Sequence, residues 1–390
     1  MKPGWRSLAA GSIVAAGFLF ISGLIALNLW HAQPGTRDFI EYWAAEQQLV
    51  HHANPYDGEA ILHLERPYGF DKLRPEFWYS PPQTLVLALP LGFLSAQMGL
   101  ILWTVALFTC LAVSIWLLWR ILGRPNSLLF LLGFAFAPAV VCLMAGQISL
   151  VMLLAVMLFL HLHRTRPFLA GMALLPCTLK PHLFVPFAAA MLVWLVARKS
   201  YRVLGGFLTA SLAAYSIVLA FDGQIWSQYS HMMKTEGMLY EYVPILSQTL
   251  RLLISPQLAW LQFVPDVIGC CWAVWYFWTR RNHWDWMDHG MILLLVSAIC
   301  RAYGWIFDES VLLPAVLAGV YRSRLAGRSL WPIAICGSIA LIEAFASVKV
   351  ASPYYLWTTP AWLACYLYAT VKADSRVAVQ SRLTRNAGPD

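Results

Sequence analysis

Residues 98–119 read MGLILWTVALFTCLAVSIWLLW, an uncharged apolar run that ends at Arg120. About 20 such residues make one helical crossing of a bilayer, where the backbone has to satisfy its hydrogen bonds internally. The run therefore predicts a transmembrane helix, and the same pattern recurs on both sides of it. Further apolar stretches occupy residues 8–30, 126–144, 148–162, 167–179, 183–197, 203–221, 258–279, 287–301, 308–321, 329–347 and 354–371. Together they predict about twelve spans, several so short that tilt, proline breaks or a wet cavity must accommodate them.

Composition points the same way. Of 390 residues, 60% are hydrophobic and 12% charged, whereas about one quarter are charged in an ordinary soluble domain. The expected fold is all-α and polytopic, with residues 1–390 forming a single transmembrane domain. Lys2 and Arg6 precede a first run too long for a signal peptide, and His31-Ala-Gln-Pro is a poor cleavage site, so an uncleaved first helix is expected. The net charge of +8 would suggest nucleic acid for a soluble chain; here the basic residues cluster between apolar runs and nucleic acid is not an expected partner. The eight cysteines all fall in apolar runs without metal-ligand spacing, as packing residues do.

Those basic clusters orient the chain. Lys2/Arg6, Arg120/Arg124, Arg164/Arg166, Arg198/Lys199/Arg202, Arg280/Arg281, Arg322/Arg324/Arg328 and the tail at 373–390 mark the cytoplasmic side. Residues 31–79 then form the long first outer loop, and parity makes 80–94, with Pro81, Pro82 and Pro90, a re-entrant or half-inserted piece.

The outer loop carries Asp38, Glu41, Glu46, Asp57, Glu59, Glu65, Asp71 and Glu76 against only Arg37, Arg66, Lys72 and Arg74. Phe39, Tyr42, Trp43, Gln47 and Val50 recur at helical spacing, which predicts an interfacial helix closed by a turn at Asn54-Pro55-Tyr56-Asp57. Asp38, three residues before Glu41, fits a D-x-x-E capping pattern. An aspartate beside the membrane surface also suits a general base that takes the proton of an attacking hydroxyl. Both roles stand open at this level.

The string Arg37-Asp38-Phe39-x-x-Tyr42-Trp43-x-Ala45, then Asn54-Pro55-Tyr56-Asp57, Tyr79-Ser80-Pro81-Pro82, Gly146-Gln147-Ile148-Ser149-Leu150 and Lys180-Pro181 resembles the GT-C superfamily of membrane glycosyltransferases. Within it the chain is most similar to glycosyltransferase family 87, which includes polyprenol-phosphate-mannose-dependent mannosyltransferases and related arabinofuranosyltransferases. Tyr303-Gly304-Trp305-x-x-Asp308 before Leu312-Leu313-Pro314 resembles a later block. The resemblance implies a GT-C fold in the inner membrane, an active site on the periplasmic face, a polyprenyl-phosphate sugar as donor, and a glycan or glycolipid as acceptor. It implies Asp38 as catalytic base. Many relatives have Gln-x-Asn where this chain has Gln147-Ile148-Ser149, so no side-chain role is carried over to Ser149.

Other groups have a functional and a structural reading each. Lys180 and His182 flank Pro181 at an outer turn where a cation suits a leaving phosphate, or merely snorkels. Arg301 is a further phosphate candidate; an Arg301–Asp308 ion pair fixing their turn is the alternative. Tyr42, Trp43, Gln147 and Asp308 are candidates for sugar or acceptor contacts, although the spacing of Tyr42 and Trp43 favours lipid. Lys349 near a helix end is read as an interface anchor. His51-His52 and His161-x-His163 lack a third ligand, so no metal is expected, nor any other cofactor. The absence of a D-x-D triplet and of a Gly-rich phosphate loop disfavours a nucleotide-sugar donor. A lipid-linked-glycan flippase would need repeats and midplane charges, and a non-catalytic envelope-assembly subunit would tolerate loss of Asp38.

Overall fold

The computed structural model describes residues 23, 33–125, 128–236, 242–346 and 353–370. Apart from Gly23, the first apolar run at 8–30 lies outside the described residues, as do Lys349 and the tail at 373–390. Helices make up the described residues from Pro34 to Thr370 apart from short connections, with no strand among them. In chain order they are α1 (Phe39–Val50), α2 (Gly58–Glu65), α3 (Ala96–Ile121), α4 (Ala137–Ala145), α5 (Ser149–Leu162), α6 (Pro167–Met172), α7 (Val185–Ala197), α8 (Tyr201–Phe221), α9 (Ile225–Thr235), α10 (Leu246–Ile254), α11 (Val264–Arg280), α12 (Trp286–Cys300), α13 (Leu313–Leu325), α14 (Trp331–Ala346) and α15 (Thr358–Thr370).

The apolar run at 98–119 forms α3, started by Ser95, whose side chain accepts from Met98 N at 3.4 Å. Among the described residues α3 and α8 are the two helices long and apolar enough to cross a membrane, and a third span results if the pair 128–135 and 137–145, bent by 48°, counts as one. Shorter apolar helices among the described residues lie at 149–162, 167–178, 185–197, 286–300 and 331–345. Helix length thus supports fewer spans than the apolar runs of the sequence suggest. Proline is the physical reason: it lacks a backbone N–H and clashes with the preceding turn. Pro82, Pro90, Pro176 and Pro181 each open a short 3-10 segment, at 82–87, 89–93, 175–178 and 181–183.

The helix expected to lie on the lipid surface does not. In α1, Phe39, Ile40, Ala44, Ala45 and Leu49 are fully buried and Trp43 nearly so, because the 3-10 segment at 89–93 and helix α3 cover it. Trp43 Nε1 and Gln47 Nε2 both donate to Leu94 O at 2.9 Å, and Gln47 Nε2 also donates to Gly92 O. Residues 82–87 and 89–93 are therefore two 3-10 pieces packed against α8 and α1 respectively. The turn after α1 forms as expected: Asn54 Oδ1 accepts from Tyr56 N, and Asp57 caps α2 through Glu59 N and Ala60 N.

Helices α6 and α8 meet backbone to backbone. A Cβ at Gly171 would lie 1.9 Å from Val203 O, and one at Gly206 would lie 1.9 Å from Phe168 O. Small residues permit this approach where apolar packing alone does not favour helix association in lipid. Gly206→Val is expected to cost about 1–3 kcal/mol through overpacking. Gly205→Val, whose Cβ would meet nothing closer than 4.0 Å, should leave thermal unfolding in detergent almost unchanged.

Candidate active site

The site begins at the turn between α4 and α5. Gly146 adopts a left-handed conformation with φ +73°, and a Cβ there would stand 2.9 Å from Phe39 Cβ, so the turn presses against the start of α1. Trp103 Nε1 donates to Gly146 O at 2.7 Å, and the Arg37 guanidinium to Met144 O. This brings Gln147 against Asp38 although 109 positions separate them.

Gln147 then joins three segments through one amide. Its Nε2 donates to Asp38 Oδ2 at 2.9 Å; its Oε1 accepts from the Tyr42 hydroxyl at 2.7 Å and from Lys180 Nζ at 3.2 Å. Asp38 occupies the N-cap position of α1, yet its side chain makes no capping hydrogen bond. The capping role that its spacing suggests is not adopted, because the carboxylate is turned toward Gln147 instead. Burial pushes the Asp38 carboxyl above its ordinary range, opposed in part by the Gln147 bond and by the charges of Lys72 and Lys180.

Lys180 continues the network. Its Nζ lies 2.8 Å from Asp308 Oδ1 and 4.7 Å from the centroid of the Phe307 ring. Asp308, fully buried in the 3-10 segment Ile306–Leu312, also accepts from Ser149 Oγ at 2.7 Å and from Trp305 N at 2.9 Å. That segment packs against both α4 and α5, which is how it reaches the Gln147 turn.

Sequence reasoning singled out Asp38, Tyr42, Gln147, Lys180 and Asp308 separately; the structure unites them in one chain of hydrogen bonds. Several other expectations change. Trp43 faces Leu94 and Tyr68, with its indole 5.1 Å from the Tyr68 ring, so it is part of the packing and not of this network. Tyr42 is enclosed by Trp78 and Trp103, at 5.2 and 5.5 Å, rather than by lipid. Arg301 pairs with Glu309 at 3.0 Å, not with Asp308, since Lys180 takes the latter. His182 packs edge-on against Tyr303 at 5.8 Å, and burial pushes its imidazole down to about 4, so it is neutral at physiological pH and brings no positive charge to a phosphate. Ser149 does have a side-chain partner, Asp308, despite the departure at its position.

In the sequence Glu309 brackets the Tyr303–Trp305 turn together with Arg301 and Asp308, whereas Thr358, Trp78 and Trp103 were not singled out. Thr358 Oγ1 donates to Glu309 Oε1 at 2.8 Å, across 49 positions. Among the described residues no three His, Cys, Asp or Glu side chains form a metal-ligand set.

A carboxylate aimed by an amide, with a lysine held on the far side of that amide, is suited to accepting a proton at a fixed place. The profile of glycosyltransferase family 87 matches residues 77–300, more than half of the chain. The chain belongs to glycosyltransferase family 87. Comparison with curated proteins and with solved structures returned no match. Gln147, Ser149, Lys180 and His182 of this family 87 glycosyltransferase lie inside the matched region, Asp38 and Tyr42 precede it, and Arg301 and Asp308 follow it. Hydrogen bonds at 2.7–3.2 Å tie Asp38, Tyr42 and Asp308 to the matched residues. As a member of the family it is a membrane glycosyltransferase, and its apolar helices α3 and α8 are consistent with that.

Proposed function

We propose that the protein moves a hexose, mannose by family resemblance, from a polyprenyl-phosphate donor to a cell-envelope glycan or glycolipid, with inversion. The reading places it as a multi-pass GT-C protein of the inner membrane with its site on the periplasmic face. The acceptor hydroxyl attacks the anomeric carbon and passes its proton to Asp38 as the new C–O bond forms. The bond from that carbon to the phosphate oxygen breaks, and polyprenyl phosphate leaves with the electron pair. Lys180, fixed by Asp308 and Gln147, lends a positive field to that departure, and Gln147 and Tyr42 face the sugar or acceptor. The observation that carries this reading is the Asp38 carboxylate, released from helix capping and bonded to Gln147 Nε2 at 2.9 Å.

The test is transfer of radiolabel in membranes containing the protein, from polyprenyl-phosphate mannose and, in parallel, from a nucleotide-linked mannose. Transfer from the lipid donor alone is the expected outcome. Equal transfer from the nucleotide sugar, or none from a panel of polyprenyl-phosphate sugars, would overturn the donor assignment.

A further inference from the structure

Residues 246–263 turn their polarity inside out. In α10, Ser247, Gln248 and Arg251 are buried, while Leu246, Leu252, Leu253 and Ile254 are exposed, Leu253 to 78%. Past the turn, Trp260 and Phe263 of the 3-10 segment Ala259–Phe263 are exposed and Gln262 is buried. The inward polar groups are satisfied within the hairpin and by its neighbours. Arg251 Nε and Nη2 donate to Pro256 O at 2.9 and 2.8 Å, and Nη1 donates to Gln262 Oε1 at 2.9 Å. Gln248 Oε1 accepts from Val243 N at 3.1 Å, and Ser247 Oγ donates to Cys300 O at 3.0 Å. Water solvates the carbonyl of an exposed turn unaided. A buried guanidinium committed to Pro256 O, under an apolar outer face, is what a backbone turn needs where the surroundings offer no hydrogen bonds.

The helices set the depth of this hairpin. Arg164 pairs with Asp285 at 2.9 Å, Arg198 donates to Arg281 O, and Arg322 pairs with Asp288. The ends of α5, α7, α11 and α13 and the start of α12 therefore share one charged layer, as at a membrane surface. From that layer α12 runs for 15 residues and α11 for 17, rises of about 22 and 25 Å at full extension and less with tilt. The hydrocarbon of a bilayer is about 30 Å thick. Cys300 and Val264, at the far ends of these helices, thus lie roughly 8 and 5 Å or more inside its opposite boundary. The hairpin is attached to both, through Ser247 to Cys300 O and through the chain to Val264. Its outer face also continues that of α11, where Val267, Ile268, Trp275 and Trp278 are exposed at the spacing of one helix face.

We propose that residues 246–263 form a hairpin inserted among the acyl chains of the leaflet on the catalytic side, and not a loop in water. Val243 and Ile245, which lead into it, pack with Tyr355 against Tyr303, Trp305 and Ile306, the turn that delivers Asp308. The hairpin is a wall between lipid and that turn, and supports the turn from the membrane side. This assignment does not depend on the sugar donor.

The test uses the full-length protein in phosphatidylcholine vesicles, with photoreactive p-benzoylphenylalanine in place of Leu253, of Ile254 or, as a control, of Leu73, which is 90% exposed between Lys72 and Arg74. After irradiation the intact mass should rise by one phospholipid for the Leu253 and Ile254 positions and stay unchanged for Leu73. Two chains joined at Leu253 would replace lipid by a second copy as the occupant and overturn the proposal, as would the lack of any adduct at both hairpin positions. Leu253→Asp gives an independent readout, because an ionisable side chain at hydrocarbon depth is costly. Its thermal unfolding in the vesicles should fall below that of the native chain, while Leu73→Asp should unfold with it. A Leu253→Asp protein as stable as the native one would place water on that face and overturn the insertion.

Discussion

Asp38→Asn is expected to lower sugar transfer by about 10²–10⁴-fold, the usual contribution of a positioned general base, with little change in stability. An asparagine side chain oxygen can still accept from Gln147 Nε2, so the geometry of the site persists while the group can no longer take a proton. Because the Asp38 side chain makes no capping bond to α1, the helix loses nothing. A capping aspartate would behave in the opposite way, costing about 0.5–2 kcal/mol of stability when removed and leaving catalysis intact. The pH profile supplies a second readout. Burial raises the Asp38 carboxyl above its ordinary range, and the base acts in its ionised form. Activity should therefore climb with pH through that elevated value, giving an acid limb above the ordinary carboxylate range that disappears in Asp38→Asn. A variant keeping more than about a tenth of native transfer, a loss far short of a general base's usual contribution, would remove Asp38 from the reaction.

The helical, membrane-embedded character of the chain was legible because hydropathy is local: residues 98–119 carry it within their own span. The turn at 146–149 and the Lys180-Pro181 break were legible for the same reason. What was not legible is everything that depends on distant partners. The capping pattern at Asp38 obeys a local rule, but Gln147, 109 positions away, outcompetes the backbone N–H groups for the carboxylate. The periodicity of Tyr42 and Trp43 announced an apolar face without saying whether lipid or protein would cover it; Trp78, Trp103 and the segment 89–94 do. Arg301 and Asp308 are close enough in sequence to pair, yet Lys180 reaches Asp308 and Arg301 turns to Glu309. Thr358 and Tyr355 carry no motif and enter only through the folding of α15 and the turn before it onto the end of α12. Length of span is the remaining gap, since proline placement breaks continuous apolar runs into pieces shorter than a bilayer.

Disruption of the Lys180–Asp308 pair separates stability from catalysis. The lysine side chain is 15% exposed and the aspartate 0%, and loss of one partner from a buried pair costs about 3–5 kcal/mol because the other charge is left uncompensated. Asp308→Asn and Lys180→Met are each expected to lose stability on that scale in thermal or denaturant unfolding. The double variant leaves no buried charge at the pair and should recover much of that stability, giving a large coupling energy in the cycle. Activity is expected not to recover with it. Lys180 Nζ is also bonded to Gln147 Oε1 at 3.2 Å, and Gln147 aims Asp38, so the lysine acts as a positioning residue for the base. Its charge also lowers the Asp38 pKa, which fixes the sign of a readout that a purely structural pair would not move. In Lys180→Met and in the double variant, residual activity should show its acid limb displaced to higher pH than in the native chain. Recovery of both stability and native transfer in the double variant, with the acid limb unmoved, would reduce the pair to a structural tie between α5, the Pro181 turn and the segment before α13.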